Sequence, residues 1–131
     1  MRERVYNALS AWAPLDPLVG QRIFEASAVT VSTKKPFIVI RMHTGFPVER
    51  SIGGRHYVQV WAHDIPGSYL KIDSILTECR KAIEASPNTG ADGFLEARWI
   101  ENGVDLKDDV LETITRYSRY QLTQALRELH G

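Results

Sequence analysis

Along residues 55–84, RHYVQVWAHDIPGSYLKIDSILTECRKAIE, the period of the apolar positions changes part-way. Over the first nine residues the pattern alternates: Val58, Val60 and Ala62 fall on one side, and Tyr57, Gln59, Trp61 and His63 on the other. β-Branched and aromatic residues at period two predict a strand. Large side chains on both sides predict a central strand, covered on at least one face. A Pro-Gly step at Pro66 and Gly67 ends the alternation. Beyond it, Tyr69, Ile72, Leu76, Cys79 and Ile83 recur at steps of three and four, which predicts an amphipathic helix. Lys71, Asp73, Glu78, Arg80, Lys81 and Glu84 lie mainly off that stripe. Ser68 is the candidate N-cap, and Pro87 marks the stop.

The same reading extends to the rest of the chain. Residues 2–12, RERVYNALSAW, predict a first helix with the stripe Val5, Ala8, Leu9 and Trp12, ended by Pro14 and Pro17. Leu18, Val19 and Gly20 form a turn, with Gly20 free to take positive φ. An extended segment starts at residues 22–24, with Val31 as its outer limit, and residues 32–35 are a polar turn. In PFIVIRMH, 36–43, four consecutive apolar residues predict a strand buried on both faces, with Pro36 at a position that needs no ladder donor. The connection TGFPVERSIGG, 44–54, is longer than a hairpin needs, and loops of that kind often carry contacts. PNTGADG at 87–93 is a loop, and FLEARWI at 94–100 alternates again. ENGVDLKDD, 101–109, holds an Asn-Gly turn signal and an acidic cluster. VLETIT, 110–115, fits either a helical turn or an extended lead-in. RYSRYQLTQAL, 116–126, predicts a last strand, with a helix over 116–129 as the alternative. The whole is one α+β domain over 1–131: a mixed or antiparallel sheet of four to five strands with two helices packed on one face.

Composition narrows the function classes. The chain has 131 residues, 44% hydrophobic and 24% charged, which argues against intrinsic disorder. Sixteen basic residues balance sixteen acidic ones, whereas a dedicated nucleic-acid binder usually shows a basic excess. A neutral surface leaves self-association unopposed by long-range repulsion. Cys79 is the single cysteine, so no internal disulfide forms, and its place on the helix stripe predicts a buried, inert thiol. No apolar run approaches the ~18–20 residues of a membrane span. No signal-type apolar segment follows the N-terminal basic residues, so the expectation is a soluble cytoplasmic product without membrane contact.

Little in the chain has the spacing that catalysis demands. His43 and His56 have only Asp64 as a nearby third ligand, short of a metal site. The acidic loop of Glu101, Asp105, Asp108, Asp109 and Glu112 lacks the glycine and regular spacing of a calcium loop and reads as solvated, or as a contact for basic residues such as Arg116 and Arg119. Lys34, Lys35, Arg41, Arg50 and Arg55 are an ordinary solvated hairpin end before they are a rim for DNA. Trp61 and Trp99 suit a core or a subunit contact equally. Expected, therefore, are no catalytic residue, no cofactor and no metal.

Four phrases add a family resemblance. An amphipathic N-terminal helix leads to LVGQRIF at 18–24; PFIVIRM at 36–42 follows; RHYVQVWAHD at 55–64 runs into SYLKIDSILTECRKAI; and ARWIENGVDLKDDVLETITRYSRYQLT closes at 97–123. In order and pattern these resemble the tail terminator family of long-tailed bacteriophages, small α+β proteins that finish the tail tube and join it to the head. The likeness covers about residues 5–124, and the segment beyond Thr123, with Ala125, Leu126 and Leu129, departs from it. It implies a non-enzymatic virion protein, assembled in the host cytoplasm, of which six copies form a ring. The partners implied are other copies of the chain, the tail tube protein and the head–neck connector protein, with DNA passing the lumen. The subunit contacts expected are Phe46, Val48, Glu49, Arg50 and Arg55 in one loop and Asp105, Asp108 and Asp109 in another. Another connector or neck adaptor, or a small ligand- or metal-binding domain, are the alternatives.

Overall fold

The computed structural model describes residues 2–43, 55–85 and 96–123. In chain order the elements are α1 (Arg2–Ser10), α2 (Asp16–Val19), β1 (Ile23–Glu25), β2 (Phe37–His43), β3 (Arg55–Asp64), α3 (Leu70–Glu84), β4 (Glu96–Asn102), β5 (Leu106–Asp108) and β6 (Thr113–Thr123), with single 3₁₀ turns at Ala13–Leu15 and Ala26–Ala28. The strands form one mixed sheet in the order β1-β2-β3-β6-β4, with β5 also paired to β6. β1 runs parallel to β2, and every other pairing is antiparallel.

Both predicted helices lie on one face of this sheet. α3 buries Ile72, Ile75, Leu76, Cys79, Ala82 and Ile83, and α1 buries Val5 and Leu9. Against them stand Ile38 and Ile40 of β2, Val58, Val60 and Ala62 of β3, and Ile114, Tyr120 and Leu122 of β6. Each aliphatic side chain fully buried here contributes roughly 1.5–3 kcal/mol relative to exposure, and truncating one such as Ile72 to Ala costs about 2–5 kcal/mol once the cavity is included. The N-cap of α3 is Tyr69, not Ser68, and its side chain makes no capping bond; Ser68 Oγ, one residue earlier, accepts from the Leu70 amide at 3.1 Å. The Trp12 indole N–H donates to Glu78 Oε1 at 3.1 Å and ties the end of the first helical segment to α3. That bond, with Lys81 beside it, holds the Glu78 carboxyl below its ordinary value.

As predicted, Phe37, Ile38, Val39 and Ile40 are all buried. Gly20 ends α2 at φ +60° and ψ −130°, a positive-φ conformation outside the left-handed helical region that glycine reaches without a Cβ clash.

Several boundaries and counts differ from the sequence reading. Among the described residues there are six strands and three α-helices, against four to five and two. α2 stands where a turn was expected, because Pro17 in its first turn is preset for helix and needs no donor. β1 stops at Glu25 and gives way to the 3₁₀ turn Ala26–Ala28, well short of Val31. β5 lies inside the predicted acidic loop. Its origin is the length of β6: β4 reaches only to Ser118, and residues 113–115 still need partners on that side. A bulge between Trp99 and Glu101 sets Glu101, not Ile100, opposite Arg119, a shift that strict alternation does not foresee. Residues 113–123 are strand, which settles the ambiguity of 110–115 and overturns the helical alternative from 116 to 123. The predicted loops at 44–54 and 87–93, the start of the fourth strand at 94–95 and the tail from 124 lie outside the described residues.

Candidate functional site

Among the described residues, the sheet face opposite α1 and α3 divides into a covered half and an open half. Phe24, Ala26, Val29 and Leu111 close over Phe37 and Val39 at one end. His63 sits in this layer, 2% exposed, with its ring stacked on Phe37. Its Nδ1 lies 2.8 Å from Thr113 Oγ1, and its Nε2 has no partner among the described residues. Burial lowers its pKa to about 4 against the opposing pull of Asp108, and Arg41 adds to the lowering, so the imidazole is neutral near pH 7.

Toward the other end the face is open among the described residues. Tyr57, Gln59, Trp61, Tyr117, Arg119 and Gln121 are half-buried there, brought together by the β3–β6 register. The rings of Trp61 and Tyr117 lie 4.8 Å apart between centroids. Gln59 Oε1 accepts from the Trp61 indole at 3.1 Å, and Arg41 stands 6.0 Å over the indole. Arg119 covers the Tyr57 ring at 5.2 Å. Tyr117 also lies over Gly103, where an added Cβ would fall 2.2 Å from the ring. Tyr, Trp and Arg are enriched at protein contacts: Tyr and Trp bury large area with few torsions to freeze, and Arg adds a planar guanidinium that stacks and forms several hydrogen bonds.

On the helix side of β6, Arg116 forms ion pairs with Asp73 of α3 and Asp105 of the β4–β5 connection, and its guanidinium stands 5.9 Å over Tyr69. The Tyr69 hydroxyl donates to the Leu106 carbonyl at 2.8 Å. At the far edge of the sheet, a cleft of about 540 Å³ opens between α1 and β1, lined by Tyr6, Ile23, Phe24, Ala28 and Ile40 and rimmed by Arg2, Glu3 and Glu25.

The expected contact residues are placed unevenly. Phe46, Val48, Glu49 and Arg50 lie outside the described residues, and Arg55 opens β3 opposite Thr123. Asp105 is joined to Arg116 of its own chain. Asp108 Oδ1 accepts from the Leu111 amide at 2.9 Å and closes the β5–β6 turn. Asp109 is exposed in that turn. The register sets His43 opposite Tyr57, not His56. Among the described residues, no three of His, Cys, Asp and Glu converge where a metal ion would sit. Trp99 packs against the helix-side core under Arg80, 4.4 Å from its ring.

No family model matches the sequence, and no curated protein does. Solved structures do match the fold. A chain from the virion of a native gene transfer agent particle superposes with a TM-score of 0.72, over 94% of this chain and 92% of that one, at 12% sequence identity. At that identity the two share the fold.

The open face is what the sequence reading passed over. Its signal was present in the alternation, which set Trp61 with Tyr57 and Gln59, and Tyr117 with Arg119 and Gln121. Missing was the adjacency of β3 and β6, which merges the two half-faces into one.

Proposed function

We propose that the chain is a structural protein of a phage-like virion, of the tail terminator type. In this reading it has no catalytic role. Copies close into a six-membered ring on the last ring of the tail tube, stop its growth and offer the opposite face to the head–neck connector. The supporting observation is the fold shared over nearly the whole length of both chains with a component of a gene transfer agent virion. The tail terminator resemblance of the sequence phrases adds the specific position. An aromatic and arginine-rich open sheet face suits a protein whose work is contact with other subunits.

The test is to express the chain with its tube protein and to count tube lengths by electron microscopy, with antibody labelling of this chain. Tubes of limited length labelled at one end support the terminator role. Label at the connector, with unlabelled tubes, places the chain in the neck instead. Absence of label from every particle sinks the virion reading.

A further inference from the structure

We infer that Asn102–Gly103 is a site of spontaneous covalent modification, the cyclisation of the Asn102 side chain onto the Gly103 amide with loss of ammonia, and that the β4–β6 pairing holds it closed in the folded chain. A following glycine puts no side chain in the way of the attacking nitrogen, whereas Asn7 and Asn88 are followed by Ala8 and Thr89. In the reaction the Gly103 amide gives its proton to hydroxide, and its nitrogen attacks Asn102 Cγ. The new C–N bond forms, the Cγ–Nδ2 bond breaks, and Nδ2 leaves as ammonia with a proton from water. Water then opens the five-membered imide at either carbonyl and leaves aspartate or its β-linked isomer.

Three bonds hold the two reacting groups. The Gly103 amide donates to the Tyr117 carbonyl at 2.8 Å, so the nucleophile keeps its proton. Asn102 Oδ1 accepts from the Trp99 indole N–H at 3.2 Å and from the Ser118 hydroxyl. Asn102 is the last residue of β4 and pairs with Ser118, and the bond from Gly103 to Tyr117 is the next rung of that ladder, so the backbone at Asn102 is extended. Imide closure needs Cβ and the Gly103 nitrogen nearly eclipsed about the Cα–C bond, and strand backbone holds them roughly a quarter turn or more apart. Reaching the ring therefore breaks the rung and turns Gly103 against the Tyr117 ring, which already fills the place of a Cβ.

Exclusion of water is not what protects the site. Asn102 is exposed and lines a cleft of about 310 Å³ with Thr77, Arg80 and Ser118, so hydroxide, water and ammonia have a path. Protection comes from the bonds and lasts while the strands stay paired. Among the described residues β4 has β6 as its one neighbour, so this pairing opens with less loss than the centre of the sheet. Each opening exposes the site, and each completed reaction is permanent. The β-linked isomer adds a carbon to the main chain, so the rung to Tyr117 cannot re-form in register. The pair thus records the time that β4 has spent away from β6.

The test holds the full chain at mildly alkaline pH, folded in buffer or unfolded in guanidinium chloride, and follows modification of Asn102 by peptide mass mapping. Loss of one hydrogen bond changes such a rate about fivefold, so three bonds should make the folded chain slower than the unfolded one by on the order of a hundredfold. Ser118→Ala and, separately, Trp99→Phe each remove one donor to Oδ1 and should quicken the folded rate about fivefold, with the unfolded rate unchanged. Hydrogen exchange should quicken with it at the Gly103 amide and stay unchanged at the centre of β3. Three results overturn the inference: a folded chain modified as fast as the unfolded one, variants that leave the folded rate where it was, or variants that quicken exchange equally in β3, which would make global unfolding the gate.

Discussion

The imidazole of His63 lies flat on the ring of Phe37, with centroids 4.9 Å apart and planes 11° from parallel. A neutral histidine suits that stack, and burial keeps it neutral with a pKa of about 4. In the unfolded chain the same group titrates near the ordinary 6.5. Between those values the unfolded state binds more protons than the folded one, so acid favours unfolding. Lowering the pH from about 6.5 to about 4 should remove on the order of 3 kcal/mol of stability through this residue, with no further loss below. Urea denaturation of wild type and His63→Gln across that range checks it. The variant should be less stable at neutral pH but have a flatter profile, and parallel profiles would show that His63 does not set the acid limb.

Gly103 is held by the ring above it. Its amide donates to the Tyr117 carbonyl at 2.8 Å, and an added Cβ would sit 2.2 Å from Tyr117 Cε1. Gly103→Ala must swing that ring away from Trp61, at roughly 1–3 kcal/mol. In a Tyr117→Ala background the same substitution should cost far less, because the obstacle is gone. Additive costs in the double-mutant cycle would count against this explanation.

Arg116 joins α3 to the β4–β5 connection through Asp73 and Asp105. Both carboxylates are about half exposed, so screening keeps each pair to a fraction of a kcal/mol up to about 1. Arg116→Ala should cost roughly 1–2 kcal/mol, including the lost packing on Tyr69. Hydrogen exchange should quicken at residues 103–106 and remain unchanged at the centre of β3. Uniform quickening would mean that Arg116 supports the whole sheet and not this one connection.

Cys79 has no exposed surface, and burial pushes its thiol well above the ordinary range. A thiol reagent at pH 8 should leave the native protein unlabelled and react stoichiometrically in denaturant. Labelling at the rate of a free thiol without denaturant would place Cys79 at the surface.

The elements with a strong period were legible in the sequence. The Val58–Val60–Ala62 side of β3 and the Ile72–Leu76–Cys79–Ile83 stripe of α3 meet in one core, because period two and period 3.6 report directly on which side is buried. Short elements were not legible. β5 exists because β6 outruns β4, a condition that only the paired sheet defines. The candidate surface was legible in halves, since Trp61 and Tyr117 are 56 positions apart and nothing local says that they touch. Asp105 and Asp108 looked alike as loop carboxylates. One answers an arginine and the other an amide in its own turn, and only geometry separates the two.

The β3–β6 ladder has a consequence for biosynthesis. It joins residues 55–64 to 114–123, so the middle of the sheet spans most of the chain. A nascent chain can build α1, β1 and β2 early and fold α3 as a local helix, but β3 waits for its second neighbour until β6 has left the ribosome. Until then the Val58–Val60–Ala62 strand is open on one side. A partner, a chaperone or simple speed of synthesis has to shelter it through the second half of translation.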